Sequence, residues 1–302
     1  MDREFWRSVA QNQFQVPAGY TVEQLTSELL HNLGDNDPQL RDHLAYTALE
    51  KWIQQGYYTH TQLRAMITDL TDNMKQGLGT QGDDTVLWRS FSALTLSEVI
   101  KYDNTHPFLR EDEVKDILEQ SINYLIREQD LRGYAEGKGW VHALAHAGDL
   151  LGVLTRNRYV GESRLELILS ALAEKTMMPV NHAYVTLEEE RLALVVIAAL
   201  TRNLLPLSYW RWWCRQLAEV EEMMQWENTV RFARQEDIYA YHNTRLFLHS
   251  IYFQLTLAGY KLIGAKELAD AILNVLNRLD PGFYSVEVIK IIDPNINTDE
   301  LR

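Results

Sequence analysis

The chain has little cysteine. Among 302 residues Cys214 is the single one, which excludes an internal disulfide and any zinc cluster built on cysteine thiolates. Such sparse use of cysteine is typical of proteins in a reducing compartment. Cys214 directly follows the aromatic run at 209–213. We therefore expect its thiol to be buried and unreactive.

The chain also lacks a long hydrophobic run. Its longest apolar stretch, residues 192–200, is far shorter than the roughly 20 residues that span a bilayer. The opening segment MDREFWRSVA contains no basic region followed by an apolar run. We therefore expect a soluble protein that is neither secreted nor inserted in a membrane, and we assign it to the cytoplasm.

Positive charge is scarce. Lys and Arg number 29 against 42 Asp and Glu, and the formal net charge at pH 7 is −13. No segment dense in Lys and Arg offsets this excess locally, so the chain would repel a phosphate backbone. We expect no nucleic-acid partner.

Strand-like alternation of apolar and polar residues is almost absent and occurs only near 285–292. Elsewhere apolar residues recur every three or four positions, which predicts an all-α protein. Thr21 and Thr186 each stand three residues before a Gln or Glu, the form of a capping box at a helix start. The predicted helices are a less polar set, 38–55, 85–102, 140–155, 187–204 and 242–259, and a more charged set, 21–33, 60–77, 110–128, 162–177, 207–227 and 265–279.

The less polar helices recur at intervals of about fifty residues, each with a cationic or imidazole side chain near its start. A helix pair repeated at a near-constant period is the signature of a solenoid, whose units stack because none can bury its apolar face alone. We predict one helical-repeat domain over 1–302, irregular at 283–302. Its architecture would be an α/α superhelix, a HEAT-like solenoid of about five hairpins, with an α/α toroid as the alternative. The repeated side chains are Arg41, Arg89, His142, Arg191 and Arg245.

The densest group of chemically active side chains follows a glycine-rich turn. His142, His146 and Asp149 fall at i, i+4 and i+7, so a helix would present them on one face. This spacing suits metal ligands or general acids and bases. We favour structural hydrogen bonding over both, and rank a metal site last. The zincin motif is absent, because Ala143 stands where its glutamate would be.

The repeated arginines would lie along one edge of a regular stack. A guanidinium is always charged and its planar fork fits carboxylates and phosphates, so the edge predicts an anion-binding groove. Ion pairs with nearby acidic residues are the favoured alternative, since such residues are abundant around each arginine. The candidate groove residues are His142, His146, Asp149, Arg89, Arg191, His242, Arg245 and His249.

His242, Arg245 and His249 form a further group at i, i+3 and i+7. If their helix faces the helix of Asp149 across a groove, the two groups converge in one polar pocket. Convergence in an enclosed pocket would favour an enzyme. Separate local hydrogen bonds would favour a structural role.

Three segments stand out along the chain: GKGWVHALAHAGDLL at 137–151, DTVLWRSFSAL at 84–94 and YHNTRLFL at 241–248. They resemble recurring segments of a family of bacterial proteins classed as a domain of unknown function, and the likeness extends over most of the chain. The resemblance implies a bacterial origin and a helical domain of this size. It implies no activity.

Two functions remain open. The first is a helical-repeat binding or scaffold protein whose concave face receives a small anionic molecule or an acidic protein segment. The second is an α/α-type hydrolase or lyase with an acid–base or metal site at His142, His146, Asp149 and His242. No nucleophile elbow, kinase set, phosphate loop or dinucleotide fingerprint occurs, so we expect no cofactor. The oligomeric state is not determined by the sequence.

Overall fold

A computed structural model describes residues 1–220, 234–285 and 288–293. Most of these residues are helical, which confirms the all-α class. No described helix has both the length and the apolar character needed to cross a bilayer. The elements are α1 (Arg3–Gln11), α2 (Val22–Asn32), a π-helix (Gln39–Tyr46), α3 (Thr47–Gln54), α4 (His60–Asn73), α5 (Thr85–Thr105), α6 (Glu111–Arg127), β1 (Tyr134–Ala135), β2 (Gly139–Trp140), α7 (Ala143–Thr155), α8 (Glu162–Met177), α9 (Glu188–Thr201), α10 (Leu207–Leu217), α11 (Gln235–Leu257), α12 (Ala265–Leu279) and α13 (Val288–Ile292).

The chain divides into two compact units. The first comprises Met1–Ala171 and Val185–Val195, and the second comprises Leu172–Tyr184 and Val196–Arg302. The divisions fall inside α8 and α9. The first unit therefore contains α1 to α7, the π-helix, both strands and the first parts of α8 and α9, and the second contains the remainders of α8 and α9 and α10 to α13.

The first unit is built around α5, which packs most extensively against α7 and also contacts α3 and α4. Fourteen of the 21 residues of α5 are buried, and they include polar side chains as well as apolar ones. In α7, eleven of 13 residues are buried. Helices buried to this extent must be covered by other helices on most sides. The less polar helices of this unit therefore form its core.

The predicted helix 38–55 is two helices of different pitch. A π-helix over Gln39–Tyr46 continues directly into α3. Asp37 lies just before its N-cap, Pro38, and Oδ1 of Asp37 accepts the amide proton of Gln39 at 2.9 Å. A π-helix is rare, and its wider turn changes which side chains share a face. Apolar spacing alone does not reveal this change of pitch.

The glycine-rich segment that precedes α7 is a β-hairpin, in which β1 pairs antiparallel with β2. Gly137 and Gly139 have φ of +76° and +75°, a conformation that favours glycine. The buried guanidinium of Arg41 attaches the hairpin to the π-helix. Its Nη2 donates to the carbonyls of Lys138 and Trp140, at 2.7 and 3.1 Å. Strands this short give no detectable pattern in the sequence.

The two predicted capping boxes differ in outcome. Thr21 and Gln24 form one, each accepting the other's backbone amide proton through a side-chain oxygen. The helix after Thr186 begins at Glu188, whose own carboxylate accepts the Thr186 amide proton at 2.8 Å. Leu187 has φ of +71°. Because Leu187 is left-handed, Thr186 and Glu189 do not have the relative geometry that a capping box requires.

In the second unit α12 packs against both α10 and α11. Trp210 and Trp213 of α10 are buried, and Trp213 meets Phe247 of α11 edge to face at 6.1 Å between ring centroids. Cys214 is fully buried, and burial raises the pKa of its thiol to about 12. The thiol is therefore unreactive, as the sequence predicted.

Two predictions extend beyond the described residues. The helix predicted over 207–227 is described as α10, and residues 221–233 lie outside the described range. The segment 283–302, predicted to be irregular, contains α13. Its residues 286–287 and 294–302 also lie outside that range.

Candidate binding site in the first unit

His142 precedes α7 in the left-handed conformation, with φ of +49°. Its ring stacks on the half-exposed ring of Trp140, with centroids 4.2 Å apart and 27° between the planes. The imidazole is hydrogen-bonded to the backbone of Thr186, and burial lowers the pKa of His142. The ring is therefore neutral at pH 7. Its Nε2 has no hydrogen-bond partner among the described residues.

His146 lies one turn further along and is only 7% exposed. Its Nδ1 is 2.8 Å from the hydroxyl oxygen of Ser90, which donates its proton to the carbonyl of Val141. Because a serine hydroxyl has one proton, Nδ1 must carry the hydrogen and donate it to Ser90. Burial, then the neighbouring His142, lower the pKa of His146 to about 3. The ring is neutral, and Nε2 presents a lone pair.

Asp149 forms an ion pair with Arg191, whose Nη1 lies 2.9 Å from Asp149 Oδ1. The pair joins α7 to α9 where the two helices are in close contact, since a Cβ on Gly148 would lie 3.0 Å from the Arg191 carbonyl carbon. Burial raises the pKa of Asp149 more than the charge of Arg191 lowers it. The side chains are 22% and 43% exposed. A desolvated carboxylate thus adjoins a guanidinium open to solvent.

Three residues that the sequence analysis did not select reach this site from other helices. Tyr46 ends the π-helix, Glu50 lies in α3 and Glu98 in α5. Burial, and then the negative charges of Glu98, Glu50 and Asp149, raise the pKa of Tyr46, which is hydrogen-bonded to Glu98. Burial and Glu98 also raise the pKa of Glu50. We call the set the α7 site; it comprises Tyr46, Glu50, Glu98, His142, His146, Asp149 and Arg191.

Arg41 and Arg89 are fully buried and do not line an open surface. Nε and Nη2 of Arg89 donate to the carboxylate of Glu128 at 2.6 and 3.1 Å. Nε of Arg41 lies 2.7 Å from Asp42, although the pair is not aligned as a hydrogen bond, and its guanidinium lies over the ring of Phe91. Arg89 is therefore paired with an acid distant in sequence, and Arg41 is held by Asp42 together with backbone carbonyls.

Arg245 and His249 bind a residue of their own unit. Nε and Nη2 of Arg245 donate to the hydroxyl of Tyr284 at 3.1 and 2.8 Å, and that hydroxyl is 2.7 Å from Nε2 of His249. Asp280 lies 3.6 Å from Arg245. His242 is exposed beside this cluster. These residues belong to the second unit and the α7 site to the first, so the convergence of the two groups stays a prediction.

Within the described ranges, no group of three or more His, Cys, Asp or Glu side chains could hold a metal ion. His142, His146 and Asp149 therefore do not form one. Arg191 supplies a physical reason. Its charge interacts with both imidazoles and with Asp149, and a cation at that position opposes a second cation.

The fold and the site define an all-α protein with a polar, carboxylate-rich cluster assembled by several helices of one unit. The family described as "Protein of unknown function (DUF2785)" matches residues 74–253, and the chain belongs to that family. The matched range contains His142, His146, Asp149 and Arg191, whereas Tyr46 and Glu50 precede it. No curated protein and no solved structure matches the chain.

Proposed function

We propose that the chain is a binding protein whose α7 site takes up a small molecule through an anionic group. The state of Arg191 carries this proposal. Its side chain is 43% exposed, and in the described part of the chain its Nη1 donates to Asp149 while Nε and Nη2 have no partner. The Nε–Nη2 edge of a guanidinium matches the two oxygens of a carboxylate or phosphate.

The surroundings of Arg191 favour a small molecule over an acidic protein segment. A segment with several negative charges needs several exposed cations. In the first unit Arg41 and Arg89 are enclosed, the carboxylate of Asp149 is paired with Arg191, and Glu98 in turn interacts with Asp149. Those carboxylates would repel a long run of negative charge, whereas one anionic group can bind at the exposed edge of Arg191.

Other parts of the proposal rest on the sequence alone. The regular spacing of Arg41, Arg89, His142, Arg191 and Arg245 supports stacking of the helical hairpins as an α/α superhelix. The single cysteine supports a cytoplasmic location, and the family-like segments support a bacterial source.

The test is thermal melting of the purified protein with inorganic phosphate, acetate, succinate or citrate. We expect at least one anion to raise the Tm of the wild type and not that of Arg191→Gln. Arg156→Gln is the matched control, because Arg156 is an exposed arginine at the C-terminal end of α7. Equal shifts in wild type and Arg191→Gln, or no shift in the wild type, would refute the proposal.

A hydrolase or lyase is the second candidate, and Asp149 favours it, because burial raises its pKa, which is the direction that a general acid requires. A general base works best with a pKa near the working pH. His146, with a pKa of about 3, is too weak a base for that role. Binding is therefore the better supported function. If NMR detected a reaction product formed by the wild type and not by Asp149→Asn, an enzyme would become the better supported function.

A further inference from the structure

We propose that the ligand of the α7 site is a free α-amino acid, whose carboxylate binds Arg191 and whose ammonium group lies between Asp149 and Glu98. This inference rests on the proposed function and names the class of ligand. It accounts for Asp149 and Glu98, the acidic side chains of the site that an anionic ligand group alone would leave unused.

The first observation is an excess of negative charge. Asp149, Glu98 and Glu50 come from three different helices and all interact with the hydroxyl of Tyr46. Besides Arg191, two lysines interact with them: Lys101, which is 2.9 Å from Glu98 and has a side chain 49% exposed, and Lys51, whose charge acts on Glu50. Burial and mutual repulsion raise the pKa of Glu50 and, with burial the larger cause, that of Asp149. A bound cation would relieve both effects.

The second observation is independent of charge. Thr95 lies four residues after Phe91 and three before Glu98, so the three share one face of α5. On that face Phe91 contacts the rings of Tyr46 and His146, with centroids 6.4 and 5.0 Å apart. Thr95 is fully buried, and its hydroxyl has no hydrogen-bond partner in the described structure. Buried polar groups nearly always have one, and Thr95 is on the face of α5 that carries Glu98, where a ligand group would satisfy its hydroxyl.

The hydrogen-bonding capacity of the site fits an ammonium group. Such a group has three donors and no acceptor. Asp149 Oδ1 already accepts from Arg191, and Glu98 Oε2 from Gln54 and Lys101, so each carboxylate offers its other oxygen. His146 offers the lone pair of Nε2, which is fixed as an acceptor by the Nδ1–H bond to Ser90. These are acceptors of the kind that an ammonium group requires.

The spacing of the charges selects an α-amino acid among zwitterions. Arg191 and Asp149 are 2.9 Å apart, so the groups that bind a carboxylate and an ammonium are adjacent. An α-amino acid carries both charges on one carbon. A zwitterion with a long spacer would place one charge away from its partner.

The test begins with thermal melting in each of the twenty free L-amino acids, followed by calorimetry on the one with the largest shift. We expect that amino acid to bind, and its N-acetyl and amide derivatives each to bind about tenfold or more weakly, since each loses a charge-assisted contact. N-Acetylation removes the cation and amidation removes the anion.

Variants assign the two contacts. Asp149→Asn should weaken binding of the free amino acid by about tenfold and leave binding of its N-acetyl derivative unchanged. Arg191→Gln should weaken binding of both. Asp116→Asn, at an exposed aspartate of α6, is the matched control and should change neither. If Asp149→Asn does not fold, Glu98→Gln replaces it with the same expectation.

The outcomes separate this inference from the proposed function. If the N-acetyl derivative binds as tightly as the free amino acid, or if citrate or phosphate binds through Arg191 and no amino acid does, the amino-acid inference fails and the proposed function stands. If an amino acid binds but neither variant weakens it, or if nothing binds, both fail.

Discussion

Ser90 and His146 share a hydrogen bond whose direction is fixed by a third residue. Ser90 donates its proton to the carbonyl of Val141, so the Nδ1–H of His146 donates to Ser90 across 2.8 Å. The bond connects the two central helices of the first unit, α5 and α7. It also determines that Nε2 of His146 is the nitrogen with a lone pair.

Ser90→Ala removes this acceptor and leaves a buried N–H and a buried carbonyl without their partner. We expect the free energy of unfolding to fall by about 1–3 kcal/mol, measured by urea denaturation at pH 7. Ser92→Ala is the matched control. Ser92 is equally buried on the same helix, and its hydroxyl has no partner in the described structure, so its loss should be near neutral. Equal losses of stability in the two variants would contradict a stabilising role for the hydrogen bond between Ser90 and His146.

The buried imidazole of His146 predicts acid sensitivity. Its pKa is about 3 when folded against an ordinary 6.5, so the unfolded chain binds the proton more tightly. The stability due to this group is therefore fully present above pH 6.5 and is lost as the pH falls towards 3. The slope that one proton contributes is about 1.4 kcal/mol per pH unit.

The measurement is the free energy of unfolding at several pH values below 6.5 for wild type and His146→Gln. We expect a shallower decline in the variant. Arg156→Gln adds no group that titrates in this range and should keep the slope of the wild type. Asp149 acts in the opposite sense, because its pKa is raised, but it is present in all three proteins. Identical slopes for wild type and His146→Gln would exclude this role of His146.

The α7 site shows which of its residues the sequence could identify. His142, His146 and Asp149 were recognisable because they lie on one segment at helical spacing. Tyr46 and Glu98 were not, because their contact depends on how the π-helix and α5 pack together. Periodicity shows which face of a helix is apolar and does not show which distant helix covers it.

The arginines illustrate the same limit. The sequence identified Arg89 and Arg191 as equivalent, since both begin a less polar helix. Arg89 is enclosed with Glu128, 39 residues away, whereas Arg191 is exposed beside Asp149. The difference arises from tertiary packing, which a local pattern of charge does not contain. The all-α class, by contrast, depends only on local spacing and was predictable.

The hairpin before α7 allows a comparison of two glycines with nearly equal φ. Alanine at Gly137 or Gly139 would incur left-handed strain of about 1–2 kcal/mol. A Cβ on Gly137 meets nothing within 4 Å, whereas one on Gly139 would lie 2.8 Å from the Cβ of Pro38. We therefore expect Gly139→Ala to lower the free energy of unfolding more than Gly137→Ala does. Equal losses would show that the hairpin does not pack on Pro38 as described.

Gly148 and Gly152 lie one turn apart on α7 and should respond to alanine in opposite directions. Alanine stabilises a helix interior by about 1 kcal/mol relative to glycine. At Gly152 a Cβ would meet the side chain of Val195 at 4.0 Å, an ordinary contact, so Gly152→Ala should raise the free energy of unfolding. At Gly148 it would lie 3.0 Å from the Arg191 carbonyl carbon. Backbone cannot rotate away, so α9 must shift and Gly148→Ala should destabilise the protein.

The same pair of variants connects packing with binding. Arg191 is the residue that Gly148→Ala displaces, so this variant should also lose the anion-dependent rise in Tm. Gly152→Ala leaves the contact between α7 and α9 intact and should retain that rise. If Gly148→Ala binds anions as the wild type does, anion binding does not depend on the exact position of Arg191. Retained binding together with a loss of stability would show that the contact between α7 and α9 stabilises the fold and does not position Arg191 for binding.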